Sequence, residues 1–151
     1  FKIEIKFDVA LILDVLEHVI DPLFLLKETK KILSSAGCII ITVPLYFDLL
    51  DRLKILFTGS VISLDNLCYG KENYKKFRSF NYDHIRFFRP KDIIELGESL
   101  ALKIEQIEYV PTSYYGKSRI IKLIVKILNN RFTAKMFPKL CAHSMKVRWR
   151  K

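Results

Sequence analysis

Glycine is scarce: there are five in 151 residues. None forms a glycine-rich loop after an apolar strand; Gly59 and Gly70 stand in polar surroundings. A phosphate-cradling loop of the kind nucleotide-binding domains use is therefore not visible. Cysteine is limited to Cys38, Cys68 and Cys141, an odd number with no CxxC spacing. That excludes a disulfide framework and a cysteine-based zinc site, and suits a reducing cytosol. Cys38 opens an apolar run and reads as a small core residue. No apolar run reaches the roughly 18–20 residues of a membrane-spanning helix. The chain opens on Phe1 without a charged-then-apolar leader, so no secretion signal is visible and a cytoplasmic place is expected. Acid is missing from one region altogether. Residues 112–151 hold 11 of the 26 Lys and Arg and no Asp or Glu, and the remaining 111 residues are close to neutral.

Half the residues are hydrophobic, and the length suits one domain with a sizeable core. Val9 to Leu13 is continuously apolar and too short for a helix, so it is expected to be a strand covered on both faces. Asp21-Pro22 has the form of a helix start, Asp as N-cap and Pro in the first turn. Leu23, Leu26, Ile32 and Leu33 supply an apolar stripe, and Gly37 a C-terminal cap. Cys38 to Val43 is a second apolar strand, halted by Pro44. Together these form a βαβ unit with parallel strands. Helices are expected over Tyr46–Phe57, Lys91–Leu100 and Ser118–Asn130, and strands over Lys103–Val110 and Cys141–Arg150. In the last strand Ala142, Ser144, Lys146 and Arg148 share one face, and His143, Met145, Val147 and Trp149 the other. Residues 58–83 form a long aromatic-rich insertion. The order β-α-β-α-insertion-α-β-α-β specifies a layered α/β domain with a mainly parallel sheet.

The segment DVLEHVIDP (14–22) places Asp14, Glu17 and His18 at the end of a core strand. Charged residues are seldom buried there unless paired. In a doubly wound sheet, the carboxyl ends of the strands are where ligands bind.

FDVALILDVLEHVIDP, the helix and VP-ended strand after it, and HIRFFRPKDIIEL (84–96) together resemble the second half of a class I S-adenosylmethionine-dependent methyltransferase. The terminal FPKLCAHSMKVRWRK resembles that family's last, antiparallel strand. The match is good over 7–45 and 84–110 and loose beyond. The resemblance implies a Rossmann-like sheet and S-adenosylmethionine as cofactor. It also implies that the chain is the C-terminal portion of a single domain, truncated before the family's fourth strand, because the glycine-rich cofactor loop and the ribose-binding acid are missing. Such a fragment is expected to bind cofactor poorly and to be inactive by itself.

For Asp14, Glu17 and His18 three roles stand open. They cap the strand-to-helix turn; or they line the cofactor and acceptor pocket; or they ligate a divalent ion, as a similar Glu-x-x-Glu-His pattern does in some ubiquinone-pathway and small-RNA methyltransferases. In the pocket role, Leu13, Asp14 and Val15 meet the cofactor. His18 is then a candidate base, its ordinary pKa lying near neutrality. The resemblance sets His84 over the acceptor as a second catalytic candidate, with Glu17, Tyr46 and Arg86 contacting the acceptor. Phe87 and Phe88 are expected in the core.

The acceptor expected from the resemblance is an oxygen or nitrogen of a small molecule, lipid or saccharide. Arg119, Lys122 and Lys126 fall on one side of the 118–130 helix, opposite Ile120, Ile121, Ile124, Ile127 and Leu128. This arrangement suits packing on the sheet or peripheral contact with an anionic membrane. No nucleic-acid-binding motif is present. The alternative to an enzyme is a non-catalytic α/β domain that binds an anionic partner through this basic end.

Overall fold

The apolar run near the N-terminus forms strand β1 (Phe7–Leu13), and Asp14 ends it at φ 51°. The structure, a computed structural model, describes residues 5–45, 48–59, 84–111, 119, 123, 126 and 130–151. A single 3-10 turn (Leu16–His18) leads to helix α1 (Pro22–Ile32). The Asp21 carboxylate accepts from the Phe24 amide at 2.9 Å, satisfying one of the unpaired donors of the first turn. Strand β2 (Leu33–Pro44), helix α2 (Leu49–Thr58), helix α3 (Pro90–Ser99) and strand β3 (Lys103–Pro111) follow. The chain closes with α4 (Arg131–Met136), α5 (Pro138–Cys141) and strand β4 (Ala142–Arg150).

The sheet has the order β1-β2-β4-β3. β1 pairs parallel with β2, while β4 runs antiparallel to both β2 and β3. The expectation of a mainly parallel sheet is thereby corrected: among the described strands one pair is parallel. The last strand returns and inserts between β2 and β3, separating two strands that point the same way. The four-stranded α/β sheet and its antiparallel last strand match the sequence.

The core lies on one face of the sheet. Ile39, Ile41 and Val43 of β2 stand opposite Trp149, Val147 and Met145 of β4, and all six are fully buried. Burying each such side chain contributes about 1.5–3 kcal/mol. Helix α3 lies on Trp149 at Gly97, where a Cβ would come within 2.6 Å of the indole nitrogen. On β4, Met145, Val147 and Trp149 face inward, while Lys146 is exposed and Arg148 and Arg150 half-exposed, as the alternation predicts; at the start of the strand the expectation is reversed, with Ala142 buried and His143 exposed. Cys38 is buried in β2, as expected of a small core residue.

Four further expectations are corrected. β1 is covered on one face only: Ile12 is buried, whereas Val9, Leu11 and Leu13 are 51%, 62% and 49% exposed. A hollow of about 440 Å³ lies beside Val9 and Leu11, lined also by Val15, Leu25 and Ile32. Gly37 caps no helix. α1 ends at Ile32, with the Leu33 amide donating to Lys30, and β2 begins five residues before Cys38. At Gly37 the β2 backbone approaches β1, and a Cβ would stand 3.1 Å from the Phe7 carbonyl oxygen. Cys141 ends α5 rather than opening β4. Phe88 is buried as expected, but Phe87 is 43% exposed. Of the expected 118–130 helix, the described positions Arg119, Leu123 and Lys126 are helical and exposed, whereas Asn130 has extended backbone and caps the start of α4. The 60–83 stretch of the insertion lies outside the described residues, with Tyr46 and Phe47.

Candidate active site

Asp14, Glu17 and His18 stand at the carboxyl end of β1, where the chain leaves the sheet. Asp14 is fastened to β2. Its amide donates to the Thr42 carbonyl and hydroxyl oxygens, each at 3.0 Å, and the Thr42 hydroxyl donates to the Asp14 carboxylate at 3.0 Å. Aspartate tolerates the left-handed backbone found here better than most residues do. Leu13 and Val15 flank it, both partly exposed.

Glu17 is drawn inward by the 3-10 turn and is completely buried. Neither carboxylate oxygen has a hydrogen-bond partner among the described residues. Burial, and secondarily the Asp14 charge, raises its pKa above the usual carboxylate value.

The segment 84–88 folds over this turn. The Ile85 and Arg86 amides both donate to the Glu17 carbonyl oxygen, at 2.9 and 3.2 Å. The Arg86 guanidinium donates through Nε to the Val19 carbonyl at 2.9 Å, and through Nη2 to that of Ile20. Leu45 and Phe88 form a parallel bridge that extends the clasp to the end of β2. His84 is thus brought against His18, their rings edge to face with centroids 4.7 Å apart. His84 Nε2 stands 3.8 Å from Glu17 Oε1, longer than a hydrogen bond. Burial, then the neighbouring His18, lowers the His84 pKa.

Of the residues named from sequence, Glu17, His18 and His84 are brought together, with one donor atom of each lying within 4.8 Å of the others. Asp14 adjoins them but is engaged by Thr42. Arg86 commits its guanidinium to backbone carbonyls, a role that sequence reasoning did not foresee. Thr42 was also missed; its only signal was a hydroxyl at the end of an apolar strand.

No family model matches the chain, and no curated protein does. Solved structures do. A methyltransferase of Thermotoga maritima that depends on S-adenosylmethionine superposes with a TM-score of 0.52 at 19% identity, covering 99% of this chain and 60% of the other. One from Archaeoglobus fulgidus gives 0.53 at 14%, covering 97% and 60%. The plantazolicin methyltransferase BpumL, solved with S-adenosylhomocysteine and a substrate analogue, gives 0.50 at 16%, covering 100% and 55%. The chain has the α/β fold of S-adenosylmethionine-dependent methyltransferases, and it spans about 60% of the length of the first two structures.

Proposed function

We propose that the chain is the acceptor-side portion of a cytoplasmic methyltransferase. It transfers the methyl group of S-adenosylmethionine to an oxygen or nitrogen of a small-molecule, lipid or saccharide acceptor. One observation carries the proposal: the Asp14–His18 turn sits at the carboxyl end of a parallel strand, with the 84–88 segment clasped over it. That is where an open α/β sheet binds its ligands. Fold alone does not make an enzyme; the polar cluster at this end of the sheet supplies the second support.

Methyl transfer from a sulfonium is an in-line displacement. The acceptor lone pair forms the new bond to carbon as the sulfur–carbon bond breaks, S-adenosylhomocysteine leaves, and the acceptor loses a proton. Catalysis consists mainly of alignment. In this proposal Leu13, Asp14 and Val15 face the cofactor, and Glu17 bounds the acceptor pocket. His18 and His84 accept the acceptor's hydrogen bond and then its proton. Arg86 acts through the backbone it holds. Tyr46, outside the described residues, remains a proposed acceptor contact. In this reading a glycine-rich loop to hold the cofactor's methionine end would have to come from polypeptide outside this sequence.

Titration calorimetry with S-adenosylhomocysteine tests the proposal, on this chain and on a form extended at its N-terminus. Binding by the extended form alone, at micromolar strength or better, supports it. Binding by neither form overturns it. Vesicle binding through the basic 112–151 region, where Arg119 and Lys126 are exposed, would then favour an anionic-surface binding domain.

A further inference from the structure

We propose that Glu17, His18 and His84 form a binding site for a divalent transition-metal ion of the zinc type, with one coordination position left open to solvent. Three observations converge on it. The Glu17 carboxylate is wholly buried, and neither oxygen is hydrogen-bonded among the described residues. A buried carboxylate left so is costly, and a cation is what it lacks. Two imidazoles stand at the same place, 4.7 Å apart by ring centroids, and one donor atom from each of the three side chains lies within 4.8 Å of the other two. The clasp of Arg86 and Ile85 on residues 17–20 fixes the two chain segments together, so the cluster does not depend on side chains alone.

The donor set selects the ion. Two imidazole nitrogens and one carboxylate oxygen suit zinc, iron, cobalt or nickel, whereas magnesium prefers oxygen donors throughout. A tetrahedral zinc site, with bonds of about 2.0–2.1 Å, holds its donors about 3.4 Å apart, so the side chains here would draw inward by about 1.5 Å. Three protein ligands leave the fourth position of a tetrahedral ion open, the arrangement of catalytic rather than structural zinc. Asp14 is outside the set because its carboxylate is held by Thr42. The ligands therefore differ from the Asp14, Glu17 and His18 trio that the resemblance implies. With an ion on these atoms, an acceptor oxygen would meet the open position instead of an imidazole nitrogen.

This inference stands on the coordinates and not on methyl transfer, so its test reads metal alone. Zinc chloride is titrated calorimetrically into the chelator-treated full chain, with elemental analysis for stoichiometry, cobalt(II) spectra for geometry and magnesium as control. The expected result is one zinc per chain, tetrahedral cobalt bands and no response to magnesium. His18→Ala and His84→Ala each weaken zinc binding by about tenfold or more. Glu17→Gln does the same without lowering the melting temperature of the metal-free chain, which separates ligation from folding. Absence of saturable zinc binding overturns the inference. So does binding unchanged in all three variants, or binding abolished by Cys38→Ser. Failure of S-adenosylhomocysteine to bind leaves it standing.

Discussion

Asp14 is held at φ 51° by a reciprocal pair of contacts with Thr42. A left-handed aspartate costs little, yet the turn that follows aims Glu17 inward and His18 toward His84. Thr42→Val keeps the β-branched shape but removes both hydroxyl contacts. Its expected cost is about 1 kcal/mol, checked by urea denaturation, with the slope unchanged. Arg86 is the second residue on which the geometry turns. Arg86→Ala should leave the melting temperature nearly unchanged while hydrogen exchange at the Ile85 and Arg86 amides accelerates, because the guanidinium no longer ties their segment to Val19 and Ile20. Unchanged exchange would show that the two amide bonds to Glu17 hold the clasp unaided. His84 lies 66 positions from His18 in sequence, and no periodicity links them. The resemblance named His84 as a candidate for the acceptor side, and only the fold puts it against His18 and Glu17.

Helix α3 shows how far local chemistry carries an element and where packing takes over. Pro90 in the first turn announced its start, and the structure adds a cap in which Arg89 donates and Asp92 accepts. The Asp92 carboxylate accepts from the Arg89 amide at 2.8 Å and from the Arg89 guanidinium at 2.6 Å. The Arg89 hydrogen bond is the main reason the Asp92 carboxyl titrates below its ordinary value. A depressed carboxylate pKa stabilises the fold at pH above the unfolded pKa, and that contribution is lost as pH falls through the folded pKa. Asp92→Asn should therefore flatten the stability profile in the acid range below about pH 4, with the neutral-pH effect small because the pair is largely exposed. Gly97 carries the opposite lesson. Its helical position would favour alanine by about 1 kcal/mol, but a Cβ would run into Trp149. Gly97→Ala is expected to lose about 1–2 kcal/mol net, read from chemical denaturation.

Strand and helix identities around residues 7–44 and 90–111 were legible because apolar runs, Asp-Pro and Arg-Pro starts are local signals. The order of the strands was not. β4 enters between β2 and β3, and its pairs with β2 join residues a hundred or more positions apart; its pattern does not say which neighbours it will find. The short helices α4 and α5 were missed because six and four residues are too few for a period. The start of β2 was missed because Leu33 completes the helix stripe and begins the strand as well.

At the scale of the whole molecule, β1 is the exposed place. Val9, Leu11 and Leu13 present an apolar row beside a strand edge that no other described strand pairs with, the combination by which sheets associate edge to edge. The remainder of a methyltransferase-like domain would lie on this side in the present proposal. Leu11→Lys should raise the monomeric fraction in analytical ultracentrifugation of this chain, as charge on an edge opposes pairing. If self-association does not change, the row is not the contact surface. The opposite edge of the sheet is guarded differently: Glu105 receives Arg148 at 2.9 Å and Arg150 at 2.6 Å, and β3 carries Lys103, Glu105 and Glu108.

The chain has a single tryptophan, and Trp149 sits wholly inside, under α3 and across from Ile39 and Ile104. Its indole N–H is unpartnered among the described residues. Its emission therefore reports one location: the seam where the last strand is inserted between its two neighbours. Native fluorescence should be blue-shifted. A red shift on denaturation that precedes the loss of helical circular dichroism would mean that the final strand withdraws first and that the β1–α1–β2 unit persists without it. A coincident change would mean that the chain's last nine strand residues and its first fold and unfold as one.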